Sequence, residues 1–177
     1  AQQMGAPIDH FIASCNVNDV VPEYLETGDF RARPSIPTIS NAMDIGNPSN
    51  FARMMELYSH NVETTREHLS GFSFDDRATK QAVKEVFEKY DYVMDPHGAV
   101  GYLGLKAYLE GKNASDINGI IVETAHPAKF VETVEEVISQ KVEIPNALLE
   151  SMKKEKVATE ITGELSSLKD YLLSNIP

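Results

Sequence analysis

Three short segments gather the residues whose types and spacing can do chemistry. The sharpest is Glu123-Thr124-Ala125-His126-Pro127-Ala128-Lys129-Phe130. An apolar run ends at Thr124, and a helix is expected to begin at Pro127, whose missing N–H goes unused in a first turn. In open α/β sheets, ligands gather where strands end. Thr124 would present a neutral hydroxyl at such a place. His126 would precede a helix N-terminus, which favours anions and disfavours an imidazolium. The same two side chains can equally do no more than satisfy backbone groups at the junction.

The second segment is Asp95-Pro96-His97-Gly98-Ala99-Val100-Gly101. Asp95 is placed to cap the following helix and to orient His97. No second histidine stands at helical spacing and no ligand set accompanies it, so a metal is not indicated. A capped, glycine-packed helix start is the competing reading. The third segment runs from Ser40-Asn41-Ala42-Met43-Asp44 to Ile45-Gly46-Asn47-Pro48. Its donors and acceptors suit either a cleft that binds polar substrate atoms or a surface loop closed by its own Asx turns. Asn16, Asn18 and Asp19 carry the same two readings. His10, His60 and His68 are scattered and read as structural or exposed, and Cys15 reads as a small apolar filler. The sequence has no P-loop, G-x-S-x-G elbow or zinc-ligand spacing.

The elements that position these segments follow from punctuation and periodicity. Residues 8–13 (IDHFIA) and 118–124 (NGIIVET) are apolar and β-branched, and both read as buried strands, the second as the central one. Residues 92–94 suggest a further short strand. Residues 28–37 and 70–76 read as irregular, with Ser73 and Asp76 resembling a capping pair. Helices are expected over 20–25, 51–58, 77–90, 97–109, 127–139, 146–152 and 163–175. The clearest is 77–90, where Ala78, Ala82, Val83, Val86, Phe87 and Tyr90 share one face. Few strands among many helices predict an α/β layered domain with a mostly parallel sheet. The low strand count suggests that part of the sheet belongs to sequence outside this chain. So does the opening, where Ala1 to Pro7 read as a helix end closed by Gly5 and no initiating methionine stands first.

The 177 residues suffice for one domain. A formal net charge of −11 excludes a general polyanion binder, which needs a basic face. A single cysteine forms no intrachain disulfide, and with no secretory signal or apolar run of about 20 residues the expected setting is cytoplasmic, away from membranes.

Together the segments resemble the C-terminal part of the threonine synthase family. The matching stretches are FIASCNVNDVVPEYLETGDF (residues 11–30), SNAMDIGNPSNFARMMEL (40–57), YVMDPHGAVGY (92–102) and ETAHPAKF (123–130), in the family's order over about residues 4–145. The resemblance implies a pyridoxal 5'-phosphate enzyme of fold type II (tryptophan synthase β-like), a carbon–oxygen lyase acting on phosphates. It would convert O-phospho-L-homoserine and water to L-threonine and phosphate. It implies an α/β C-terminal portion of the cofactor-binding large domain over residues 1–145, with few mostly parallel strands and flanking helices, and a helical extension over 146–177. It implies that Thr124 sits beside the cofactor's pyridine nitrogen, where a hydroxyl leaves the ring neutral and a carboxylate would hold it protonated. Asn41, Asp44, His97 and His126 would lie near the active site. After Asp95-Pro96-His97 the family often has threonine, whereas this chain has Gly98.

The family's Schiff-base lysine and phosphate-binding loop are not recognisable. Lys106 and Lys129 stand in non-matching motifs, so no catalytic residue is assigned within the chain. Alone it is expected to be inactive, to bind cofactor weakly or not at all, and to self-associate through a truncated face. The alternative is a stand-alone acidic α/β interaction domain without catalysis.

Overall fold

Phe11–Cys15 and Leu69–Ser73 lie side by side as parallel strands β1 and β2, in the register Phe11 to Leu69 through Cys15 to Ser73. They appear in a computed structural model that describes residues 1–113 and 116–175. The chain divides into two compact units, Ala1–Glu143 and Ile144–Pro177. The first holds the sheet and helices α1 (Val20–Thr27), α2 (Phe51–Leu57), α3 (Val62–His68), α4 (Asp76–Tyr90), α5 (Pro96–Leu109) and α6 (Val131–Ile138). The second holds α7 (Asn146–Met152) and α8 (Leu165–Asn175). The architecture is thus α/β, with a small parallel sheet and flanking helices.

Two apolar clusters organise the first unit. Ala82, Val83 and Val86 of α4 pack with Met94, Ala99 of α5 and Val134 and Ile138 of α6. Tyr24 and Leu25 of α1 pack with Phe51 of α2, and Phe30 stacks on Phe51 with ring centroids 3.8 Å apart. Both long helices start on aspartate caps. Asp75 Oδ1 accepts from Ala78 N at 2.7 Å, and Asp95 Oδ1 accepts from His97 N at 2.9 Å.

The first strand and most helices form close to where the sequence places them, and the differences have physical causes. The strand expected over 8–13 forms at Phe11–Cys15, displaced toward the polar turn at Asn16. Residues 69–73 are β2 and not a loop. Their sequence, LSGFS, lacks the β-branched signature because the strand passes under α1, where a Cβ at Gly71 would stand 2.8 Å from Pro22 Cα. Ser73 does not cap α4; its hydroxyl donates to the Asn16 carbonyl at 3.1 Å. Helix α3, VETTREH, has no apolar stripe to announce it and is fixed by its Asn61 cap on Thr64 N.

The largest difference concerns residues 118–124. The sheet comprises β1 and β2 alone among the described residues, and this segment runs extended without pairing into it. It still alternates as a strand does. Gly119 lies against Leu105 and Ile121 against Gly101, while Ile120 and Val122 are 79% and 80% exposed. Residues 92–94 likewise form no strand, and the helix expected from Pro127 opens as a 3-10 turn, Pro127–Phe130, before α6.

Candidate functional site

The start of α5 carries the densest arrangement of titratable side chains. Asp95 is completely buried, at 0% exposure. Its Oδ1 accepts from both the backbone N–H of His97 and the ring Nδ1 of His97, at 2.9 and 2.7 Å. That fixes the orientation of the imidazole, with Nδ1 turned to Asp95. Nε2 is buried without a hydrogen-bond partner, as is Asp95 Oδ2. Phe130, from the 3-10 turn, faces the ring at 5.0 Å between centroids.

Glu123 reaches this place from the extended segment. Its Oε1 accepts from Asp95 N at 3.2 Å and its Oε2 accepts from the Tyr92 hydroxyl at 2.7 Å. Burial raises the Glu123 carboxyl above the usual range; the hydrogen bonds from Tyr92 and from the Asp95 backbone oppose it, and the Asp95 carboxyl adds to it. Burial acts on Asp95 in the same sense. The hydrogen bonds from the ring and backbone of His97 and from Glu123 outweigh it and hold Asp95 below its ordinary value.

Thr124 is next in the chain, exposed, and engaged in no hydrogen bond among the described residues. His126 is exposed as well, and its Nδ1 accepts from Ala128 N at 3.1 Å, capping the 3-10 turn. A nitrogen that accepts a backbone N–H carries no proton, so His126 holds its own on Nε2. Between two committed neighbours, Thr124 alone presents a free polar group.

A second group occupies the carboxyl end of β1. Asn16 Nδ2 donates to Thr38 Oγ1, Ser40 Oγ and Asp44 Oδ1 at 3.0, 2.9 and 2.9 Å. Asn18 Nδ2 donates to Asn16 Oδ1 and the Ile36 carbonyl, both at 2.9 Å. Asp44 also accepts from the Thr38 hydroxyl and backbone N–H. Asp19 and Glu23 form ion pairs with Arg33, and Arg33 N donates to the Gly46 carbonyl at 2.9 Å, closing the loop on itself. The network is inwardly satisfied and fixes residues 33–46 across the end of the strand.

Of the sequence-derived site residues, His97 lies at the start of α5, Thr124 and His126 follow in the segment that Glu123 ties to Asp95 N, and Asp44 joins the β1 group. Asn41 opens a 3-10 turn beside it, with its side chain exposed. No hydrogen bond joins the two groups among the described residues. Lys106 is occupied by both oxygens of Glu85 at 2.8 Å, and Lys129 is exposed. Burial, then Asp19, pushes the Cys15 thiol up to about 11, which suits a filler and not a nucleophile. Sequence reasoning missed the role of Glu123 and Tyr92. The signal for Glu123 was the period-two alternation, which puts it on the same side as Ile121, facing α5.

Comparison with known proteins adds a consistent set of relatives. The family described as "Threonine synthase, C-terminal" matches residues 98–172. The threonine synthase of Haemophilus influenzae is 35% identical over 99% of this chain and 40% of its own length. The crystal structure of threonine synthase from Escherichia coli superposes on 99% of this chain and 40% of that one, with a TM-score of 0.85 at 31% identity. A PLP-bound threonine synthase from Brucella melitensis gives a TM-score of 0.77 at 25% identity, over 97% of this chain and 41% of that one. The chain therefore spans about two-fifths of the length of the relatives it matches.

Proposed function

The chain belongs with the threonine synthases, as the counterpart of their C-terminal two-fifths, and on that premise we propose that it forms one wall of a pyridoxal-phosphate site. The completed enzyme would convert O-phospho-L-homoserine and water to L-threonine and phosphate. Its setting would be the cytoplasm; among the described residues no helix is long and apolar enough to cross a membrane.

The observation that carries this reading is the free hydroxyl of Thr124, exposed at the end of an extended segment whose other polar neighbours are engaged. The donor set fits the cofactor's pyridine nitrogen: a hydroxyl can donate to it or accept from it, whereas a carboxylate would hold it charged. Pyridoxal phosphate, when bound, supplies an electron sink to the reaction. This chain's part is to hold that nitrogen uncharged through Thr124. It also keeps the His97 ring in a fixed orientation against Asp95 at the start of α5. The β1 group, with Asn41 and Asp44, would present polar atoms to the substrate. The lysine and phosphate loop of the reaction belong to the complementary part of the fold, so the 177 residues alone are inactive and bind cofactor weakly. Their unpaired apolar edge favours self-association.

The test pairs this chain with the N-terminal three-fifths of a threonine synthase by co-expression and follows phosphate release and cofactor absorbance. Thr124→Ser should keep cofactor affinity within about threefold, while Thr124→Ala loses roughly tenfold, the worth of one hydrogen bond of about 1.4 kcal/mol. Parent-like affinity and turnover in Thr124→Ala would refute the assignment. So would tight, lysine-linked cofactor binding by the 177-residue chain alone.

A further inference from the structure

We propose that Glu123 and Asp95 share a single proton across the space that Gly98 leaves open, and that this pair positions the 118–126 segment, Thr124 included, on the N-terminus of α5. What that means for Thr124 rests on the function proposed above; the shared proton does not.

Asp95 Oδ1 is fully used as an acceptor by the ring and backbone N–H groups of His97, both of which favour an ionised carboxylate. Its Oδ2 lies buried without a donor. The Glu123 carboxyl sits against Asp95's own backbone N–H, which donates to Glu123 Oε1 at 3.2 Å. Two carboxyl groups hydrogen-bond only if one of them carries a proton; two charges there would repel in a poorly solvated place. Asp95 is already fixed as the acceptor, so the proton stays on Glu123 and is donated to Asp95 Oδ2. One proton then satisfies the orphaned oxygen and fastens residue 123 to the helix start.

The space for this is made by the absence of a side chain at position 98. A Cβ there would stand 2.6 Å from Glu123 Oε1 and 3.0 Å from Met94 Cγ. The titratable groups acting on the pair are His97, on α5, and Tyr92, on the segment before it. Tyr92 closes the outer oxygen of Glu123, and Phe130 covers the far side of His97.

The pair has a pH signature. Glu123 holds its proton more tightly folded than unfolded. Its contribution is therefore whole at low pH and is lost as pH rises through its raised folded value. Asp95, held below its ordinary value, contributes above that value and is lost as pH falls through its lowered one. The fastening is strongest between these limits, and its upper limb belongs to Glu123.

Infrared difference spectroscopy and thermal melts of the 177-residue chain across pH, without cofactor, test this directly. A protonated-carboxyl band should persist into the range where ordinary glutamates are ionised. Glu123→Gln should remove the band, keep the melting temperature of the parent at its optimum, and flatten the alkaline limb of the melting profile. Gly98→Ala should also remove the band, and Glu123→Ala should lower the melting temperature by about 5 °C. A parent spectrum in which all carboxyls titrate in the ordinary range overturns the proposal. An unchanged alkaline limb in Glu123→Gln does so too, whether or not Glu123→Ala folds. Either failure leaves the threonine synthase reading standing. In the co-expressed enzyme, rescue of cofactor affinity by Glu123→Gln but not Glu123→Ala extends the role to Thr124; equal loss in both confines it to the fold.

Discussion

Single side chains decide whether the two site groups hold their shape. Asn16 is the clearest case: its amide nitrogen serves three acceptors and its oxygen takes two donors from Asn18, all in a buried setting. Asn16→Ala strands Thr38, Ser40 and Asp44 around a void. It should cost about 3 kcal/mol in denaturant unfolding, with trypsin cutting earlier at Arg31 as the loop loosens. An unfolding midpoint equal to the parent's would mean that Asn18 and Asp44 sustain the network by themselves. At this scale the sequence reveals what is local. Asp95 and His97 are two positions apart, so a cap and an oriented ring follow from the tripeptide itself. The bond between Glu123 and Asp95 joins residues 28 positions apart, and no spacing rule anticipates it.

Elements were legible where the local pattern and the final environment agree. α4 has both an aspartate cap and a continuous apolar stripe that meets α5 and α6, and its limits follow almost to the residue. β2 defeats the same reasoning because its glycine answers a neighbour and not its own strand. Gly71→Ala should destabilise the chain by about 2–3 kcal/mol, since the new methyl meets backbone at Pro22 and the Leu25 side chain together. Chemical denaturation measures it, and a loss under about 0.5 kcal/mol would show that α1 can slide aside. Residues 118–124 pose the opposite problem. They have the composition and alternation of a strand, but a strand exists only once another backbone bonds to it. Among the described residues none does.

For the whole molecule, that unpaired segment and the charge act against each other. Ile120 and Val122 offer apolar side chains beside unclaimed backbone groups, a template for pairing with another chain. The net charge of −11 opposes the approach of two copies. Sedimentation velocity should therefore show association that rises with protein concentration and with added salt, as repulsion is screened. The double variant Ile120→Lys, Val122→Lys should return the chain to monomer. A parent monomeric at every concentration and salt level would instead favour the acidic stand-alone domain.

The sheet itself carries a kinetic consequence. β1 and β2 run parallel, yet α1, α2 and α3 intervene between them, so no tight turn can bring the two together. Their first encounter must wait on a distant search of the chain, while α4 and α5, adjacent in sequence, can meet early. Refolding should thus show helical signal well ahead of the event that buries Phe11–Cys15 against Leu69–Ser73, and a stopped-flow trace with both in one phase would contradict it.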